Sequence, residues 1–157
     1  LPCRPARATE RGKGRVPMLT AASLETFAAR LGSALPERAL RAVEPRYVEE
    51  PRGRWAGRAG LVALPETTEE VAALVRVAHE LRVPVIPYGG GTGLVGGQIT
   101  EAGPDPVLVS LERMARIRAV YPEENVLVAD AGCVLAEIQG AAAEADRLFP
   151  LSLASEG

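Results

Sequence analysis

Lysine is almost missing from this chain: Lys13 stands alone beside seventeen arginines. His79 is the only histidine, and Cys3 and Cys133 are the only cysteines. With no CxxC pair and no Cys/His cluster, neither a zinc site nor a disulfide framework has the residues it needs. No metal is therefore expected. Cysteine this sparse points by default to a reducing compartment, so a cytoplasmic location is expected, with an organellar matrix or peripheral membrane attachment as the other options. No run of eighteen apolar residues occurs, which leaves no segment for a membrane-spanning helix. The net charge of -2 is unevenly spread. Arg4, Arg7, Arg11, Lys13 and Arg15 face only Glu10 at the start, so everything beyond residue 17 is acidic. An acidic body argues against nucleic acid as the partner.

What remains is ordinary for a soluble globular domain: 47% apolar and 24% charged residues, enough to build one core. Residues 1–17 are read as a disordered basic leader upstream of a start at Met18. Their arginines suggest a transit peptide, but Pro2, Pro5, Gly12, Gly14 and Pro17 would break its amphipathic helix. Residues 18–59 are read as a helical N-terminal and lead-in segment, and 60–157 as the principal domain. The last stretch, Phe149 to Gly157, is loop-like, and the chain is expected to be truncated there.

Periodicity places the elements. Leu24, Phe27, Ala28 and Leu31 recur at helical spacing, with Ser23 as the cap and Gly32 as the stop. A second short helix is expected from Pro36 to Val43, then an irregular stretch over 44–60. Gly60 to Leu64 is a short strand ended by Pro65. Thr67 and Glu70 form a capping box, each satisfying the other's amide. The following helix should bury Val71, Leu74, Val75, Ala78 and Leu81. Val83 to Tyr88 is the next strand, and the βαβ unit should close into a parallel pair. Further strands are expected at Val107–Leu111, Ile117–Tyr121 and Asn125–Ala131, then a helix from Val134 to Ala145 burying Leu135, Ile138 and Ala142. The fold class is α/β (α+β): a small parallel sheet of about three strands with covering helices, then the start of a second sheet.

The chemistry lies in Gly89-Gly90-Gly91-Thr92-Gly93-Leu94-Val95-Gly96-Gly97, with six glycines in nine residues directly after a strand. Glycine permits positive φ and close backbone approach, so successive amides can converge into an anion-binding nest. Thr92 adds a hydroxyl, and a diphosphate is the natural occupant. A Walker A loop is excluded because the loop has no lysine. Gly91, Gly93 and Gly96 fit GxGxxG, with Glu112 about twenty residues on. That fingerprint must open a helix, however, and Gly103, Pro104 and Pro106 forbid one before the next strand. A structural loop without a ligand is the remaining alternative, although ordinary turns are shorter.

Pro87 to Gly97 closely resembles the pyrophosphate loop of the vanillyl-alcohol oxidase (PCMH-type) FAD-binding domain. The resemblance is nearest to its D-2-hydroxyacid dehydrogenase branch, which includes D-lactate, glycolate and D-2-hydroxyglutarate dehydrogenases. Arg52 to Ala59, Ala131 to Leu135 and Phe149 to Leu153 are similar to the family's lead-in, strand-to-helix turn and flavin-side segment. Where the D-2-hydroxyglutarate branch often has Gln and Asn, this chain has Tyr88 and Gly91.

The resemblance implies that residues 60–157 are the N-terminal part of such a domain, binding FAD non-covalently. It implies diphosphate contacts from Tyr88, Gly89, Gly90, Gly91, Thr92, Gly93, Leu94 and Gly97. Leu151, Leu153 and Ser155 would lie near the flavin or its ribityl chain. It further implies hydride transfer from a small D-2-hydroxyacid substrate to flavin N5. The catalytic base, and a metal cluster where one exists, would be carried in a later half, leaving no catalytic residue here and the chain inactive alone. The electron acceptor is unspecified. A non-catalytic phosphate- or nucleotide-binding module is the alternative from a different class.

Other eye-catching residues have plain readings. His79 should be a solvated helix residue, Cys133 a small buried thiol at a strand end rather than a flavin attachment point, and Trp55 a packing residue under the lead-in loop. The Tyr88 ring could lie near the cofactor or simply cap its strand. Glu112 reads as a surface charge, and Arg52, Arg54 and Arg58 as a basic cluster, either solvated or paired with an acidic loop.

Overall fold

The computed structural model describes residues 21–153. The leader 1–17 lies outside them. Helix α1 spans Ala21–Ala34. A 3-10 turn at Glu37–Ala39 leads into strand β1, Leu40–Arg41. A single helical turn, α2, occupies Pro45–Val48. Then come β2 (Leu61–Ala63), α3 (Thr68–Leu81), β3 (Val85–Tyr88) and β4 (Val107–Ser110). A two-stranded antiparallel hairpin, β5 (Ile117–Tyr121) with β6 (Val126–Ala129), precedes α4 (Leu135–Glu144).

The first sheet runs in the order β1-β2-β4-β3. Strands β2 and β3 are each parallel to β4, which lies between them, so the βαβ unit does not close into an adjacent pair as expected. The reason is burial: Val107, Leu108, Val109 and Ser110 are all buried, and a strand covered on both faces is most stable in the centre of a parallel sheet. The alternation along β2 and β4 feeds two cores. Ala63, Val107 and Val109 face Phe27 and Leu31 of α1 and Leu74, Val77 and Ala78 of α3. Val62, Leu64 and Leu108 face Tyr47 and Tyr88 on the opposite side. Each such apolar side chain, fully buried, is worth about 1.5–3 kcal/mol, which is why a sheet with so short an edge strand holds its position.

Several local expectations need correction. Helix α1 runs through Gly32, and Ser23 lies inside it rather than ahead of it. The segment from Pro36 to Val43 is not a helix. Leu40 and Arg41 pair antiparallel with Ala63 and Val62, because a free sheet edge offers hydrogen bonds that weak local propensity cannot match. On α3 the buried positions are Leu74, Val77 and Ala78, while Val75, one step round the helix, is 47% exposed. The capping box is half made. Thr67 Oγ1 accepts from the Glu70 amide at 3.2 Å, but the Glu70 carboxylate accepts from the amide of Glu66, at 2.7 Å, instead of that of Thr67. Of the three residues expected inside α4, Ala142 is buried, and Leu135 and Ile138 are partly so.

Candidate functional site

The glycine loop leaves the C-terminal end of β3, the end of a parallel strand where open α/β sheets bind ligands. No helix follows it over 98–106, so the GxGxxG match has no Rossmann geometry. The loop borders a cleft of about 370 Å³, lined by Ile86 to Gly93, Gly97 and Gln98. Of the residues expected to hold the diphosphate, the cleft brings together Tyr88, Gly89, Gly90, Gly91, Thr92, Gly93 and Gly97. Leu94 is half-exposed and does not line it. Leu151 and Leu153 are exposed and do not line it either. The Leu151 carbonyl accepts from Gln139 Nε2 at 2.7 Å. Ser155 lies outside the described residues.

The carbonyls of the loop are tied back while its amides are not. Gln98 Nε2 donates to the carbonyls of Gly91 and Gly93, at 3.3 and 3.2 Å. Arg52 Nη2 donates to that of Leu94 at 3.0 Å, and the Ile99 amide to that of Gly96 at 3.0 Å. Among the described residues, no amide from Gly89 to Gln98 donates to a carbonyl or side chain. In a trans peptide the carbonyl of one residue and the amide of the next point opposite ways. Anchoring the Gly91, Gly93 and Leu94 carbonyls therefore turns the Thr92, Leu94 and Val95 amides in the other direction. Of these, Thr92 lines the cleft, and uncommitted main-chain donors at such a cleft suit a multiply charged anion. Gly91 and Gly96 adopt φ of +72° and +70°, which other residues reach only with strain.

Tyr88 contributes backbone to the cleft, while its ring turns into the core. The hydroxyl donates to the Arg46 carbonyl at 2.7 Å, and the ring meets Tyr47 edge-on at 5.1 Å between centroids. Burial pushes its phenol above the ordinary value, with Arg46 opposing, so it stays a neutral donor. Trp55 packs under the far end of the loop, where a Cβ on Gly96 would stand 3.4 Å from the indole. Cys133 is partly buried, and burial raises its thiol, so it is held protonated. His79 is exposed on α3. Glu112 is not a free surface charge: Arg41 and Arg46 reach it at 3.9 and 3.5 Å, and the Tyr47 hydroxyl donates to it at 3.4 Å. Arg52 and Arg58 are paired too, with Glu50 and Asp105 at 3.2 and 2.7 Å.

Gln98 and Glu50 escaped the sequence reading. Nothing marks an isolated glutamine as an anchor for carbonyls five and seven residues behind it. Glu50 sits in a charged stretch, yet its side chain is fully buried.

A second, larger cleft of about 540 Å³ lies at the start of α3, between Thr67, Thr68, Glu69, Arg116, Ile117 and Arg118. Its two arginines and Thr67 already serve the fold through part of their polar atoms. Arg116 and Arg118 both grip the buried Asp130, and Thr67 caps the helix. The smaller cleft, which the glycine loop itself lines, is the better candidate site. Among the described residues no group of His, Cys, Asp or Glu could hold a metal ion.

Fold and loop together define an α/β domain with a glycine-rich loop bordering a cleft at the C-terminal end of a parallel strand. Residues 59–157 match the family model described as an FAD binding domain, and the chain belongs to that family. It is 33% identical over 118 residues to the mitochondrial D-2-hydroxyglutarate dehydrogenase of Bos taurus, covering 73% of this chain and 21% of that protein. With D-2-hydroxyglutarate dehydrogenase of Xanthomonas citri pv. viticola it shares 36% over 104 residues, 66% of this chain and 22% of the relative. The chain thus spans about a fifth of the length of these relatives. Among solved structures, an alkyldihydroxyacetonephosphate synthase superposes with a TM-score of 0.66 at 23% identity, over 76% of this chain and 25% of that one, which supports the fold alone. The chain is thus a member of an FAD-dependent oxidoreductase family.

Proposed function

We propose that this chain holds the diphosphate of FAD in an enzyme that oxidises a D-2-hydroxyacid to the 2-oxoacid. The observation that carries this reading is the loop at Gly89–Gly97: its carbonyls are anchored and its amides uncommitted around a cleft. The residues fit the group. Tyr88 to Gly93 and Gly97 offer backbone to the diphosphate, the Leu94 amide is proposed to join them from the face opposite the anchored Gly93 carbonyl, and Thr92 adds a hydroxyl donor. Leu151, Leu153 and Ser155 are proposed to approach the flavin end. When bound, FAD supplies the two-electron acceptor for the hydride leaving C2 of the substrate.

The chain's own part is binding and orientation. No carboxylate, histidine or lysine lines the cleft, and the Tyr88 hydroxyl is spent on Arg46. The base that takes the substrate's hydroxyl proton must therefore lie outside these residues. Relatives named D-2-hydroxyglutarate dehydrogenase support the proposed substrate class. No described helix is long and apolar enough to cross a membrane. The proposed location is the cytoplasm or an organellar matrix, the latter in line with a relative named as mitochondrial.

The test is to purify the full-length gene product and record its absorption. Flavin bands at about 370 and 450 nm are expected, and the longer-wavelength band should bleach anaerobically with D-2-hydroxyglutarate or D-lactate but not with the L-enantiomers. A protein that carries flavin yet is reduced by no D-2-hydroxyacid overturns the substrate class. A colourless protein that takes up no FAD overturns the site.

A further inference from the structure

Residues 49–58 form a bracket around one buried carboxylate. Glu49 and Ala56 bridge antiparallel, and the Glu50 amide donates to the Trp55 carbonyl at 2.9 Å. Inside this hairpin, Glu50 accepts from the amides of Arg52 and Arg54, both at 3.1 Å, and from Arg52 Nε at 3.2 Å. Burial opposes its ionisation, but these hydrogen bonds outweigh that and hold the carboxyl below its ordinary value. The guanidinium so fixed extends Nη2 to the Leu94 carbonyl. The same bracket meets the loop twice more. Trp55 lies under Gly96, and a Cβ on Gly57 would stand 2.7 Å from the Thr100 carbonyl, so the two segments run in direct contact.

We infer that Glu50 and Arg52 are positioning residues for the FAD-binding loop. Glu50 orients the guanidinium, and Arg52 holds the Leu94 carbonyl so that the turn from Gly93 to Gly97, whose two ends line the cleft, keeps its conformation. The inference rests on the reading that this loop binds the diphosphate. A guanidinium does this job because its planar fork serves two acceptors at once, whereas an ammonium on a flexible stem does not reproduce the angle between them. Because Glu50 neutralises Arg52, its charge is not the contribution it makes to the cofactor.

The experiment measures FAD affinity of the full-length apoprotein by flavin fluorescence titration at several salt concentrations. The variants are Arg52→Ala, Arg52→Lys, Glu50→Gln and Gly91→Ala, each checked for folding by circular dichroism. Arg52→Ala and Arg52→Lys should both weaken FAD about tenfold, the worth of one well-made hydrogen bond, with an unchanged salt slope. Glu50→Gln should weaken it in the same direction, and it answers the question if Arg52→Ala does not fold. Full rescue by Arg52→Lys, or a reduced salt slope in Arg52→Ala, would show a direct charge contact with the diphosphate and overturn the positioning role. Unchanged affinity in Arg52→Ala and Glu50→Gln, with FAD lost in Gly91→Ala, overturns the inference alone. FAD retained in Gly91→Ala overturns the loop reading on which it rests.

Discussion

The Tyr88 hydroxyl occupies the space that a side chain on Gly91 would need: a Cβ built there overlaps the phenol. The two positions are one packing unit. The first loop residue with positive φ folds back over the ring that closes the strand, and the ring is held by Arg46 and Tyr47. Gly91→Ala should therefore cost about 1–3 kcal/mol of stability, from backbone strain and overlap together. In a Tyr88→Ala background the overlap is removed, and the added cost of Gly91→Ala should shrink. Urea unfolding of the double-mutant cycle measures the coupling, and additive effects would contradict the contact.

Gly132 lies against the turn after β4, where a Cβ would overlap the Leu111 carbonyl and approach that of Met114 at 2.9 Å. Its amide already donates to Met114, also at 2.9 Å, so the backbone has little room to yield. Gly132→Ala is expected to lower stability by about 2 kcal/mol or more, at the upper end of overpacking effects, visible as a lower urea midpoint at unchanged slope.

Asp130 sets an acid limit. Its carboxylate is buried between Arg116 and Arg118, whose Nε groups approach at 3.1 and 2.5 Å. Burial works against the charge, but the two arginines and the Arg116 amide hold the carboxyl below its ordinary value. A depressed pKa means that the unfolded chain binds the proton more readily. This contribution is complete above the ordinary aspartate value of about 3.9 and is lost as pH falls through the lower, folded value. Asp130→Asn should remove that part of the acid dependence and lower the melting temperature at neutral pH. Melting curves from pH 7 to 3 test both effects.

The buried face of α3 gives a simpler contrast. Val77→Ala should cost about 1–3 kcal/mol as a large-to-small change in the core, while Val75→Ala should stay within about 0.5 kcal/mol. Equal costs would mean that the helix is rotated from the orientation described.

Thr67 caps α3 through one hydrogen bond to the Glu70 amide. Thr67→Ala should cost about 1 kcal/mol. Glu70→Gln should cost less, since an amide oxygen can still accept from the Glu66 amide.

Much of this protein was already legible in its amino-acid order, and each legible part is local. Strand positions, although not all their lengths, the helix start at Thr67 and the glycine loop after Tyr88 depend on neighbours within a few residues. Six glycines and no lysine in nine positions are sufficient to separate an amide nest from a Walker A loop. The insertion of β4 between β2 and β3, the use of Leu40–Arg41 as an edge strand and the burial of Val77 in place of Val75 were settled by tertiary structure. So were the roles of Glu50, Arg52 and Gln98, because each depends on a turn or a contact between segments that no residue pattern marks. Backbone freedom is a property of single residues and can be read from their order. Which carbonyls are tied back depends on side chains that only the folded loop brings round, Gln98 from a few residues away and Arg52 from a segment about forty residues earlier.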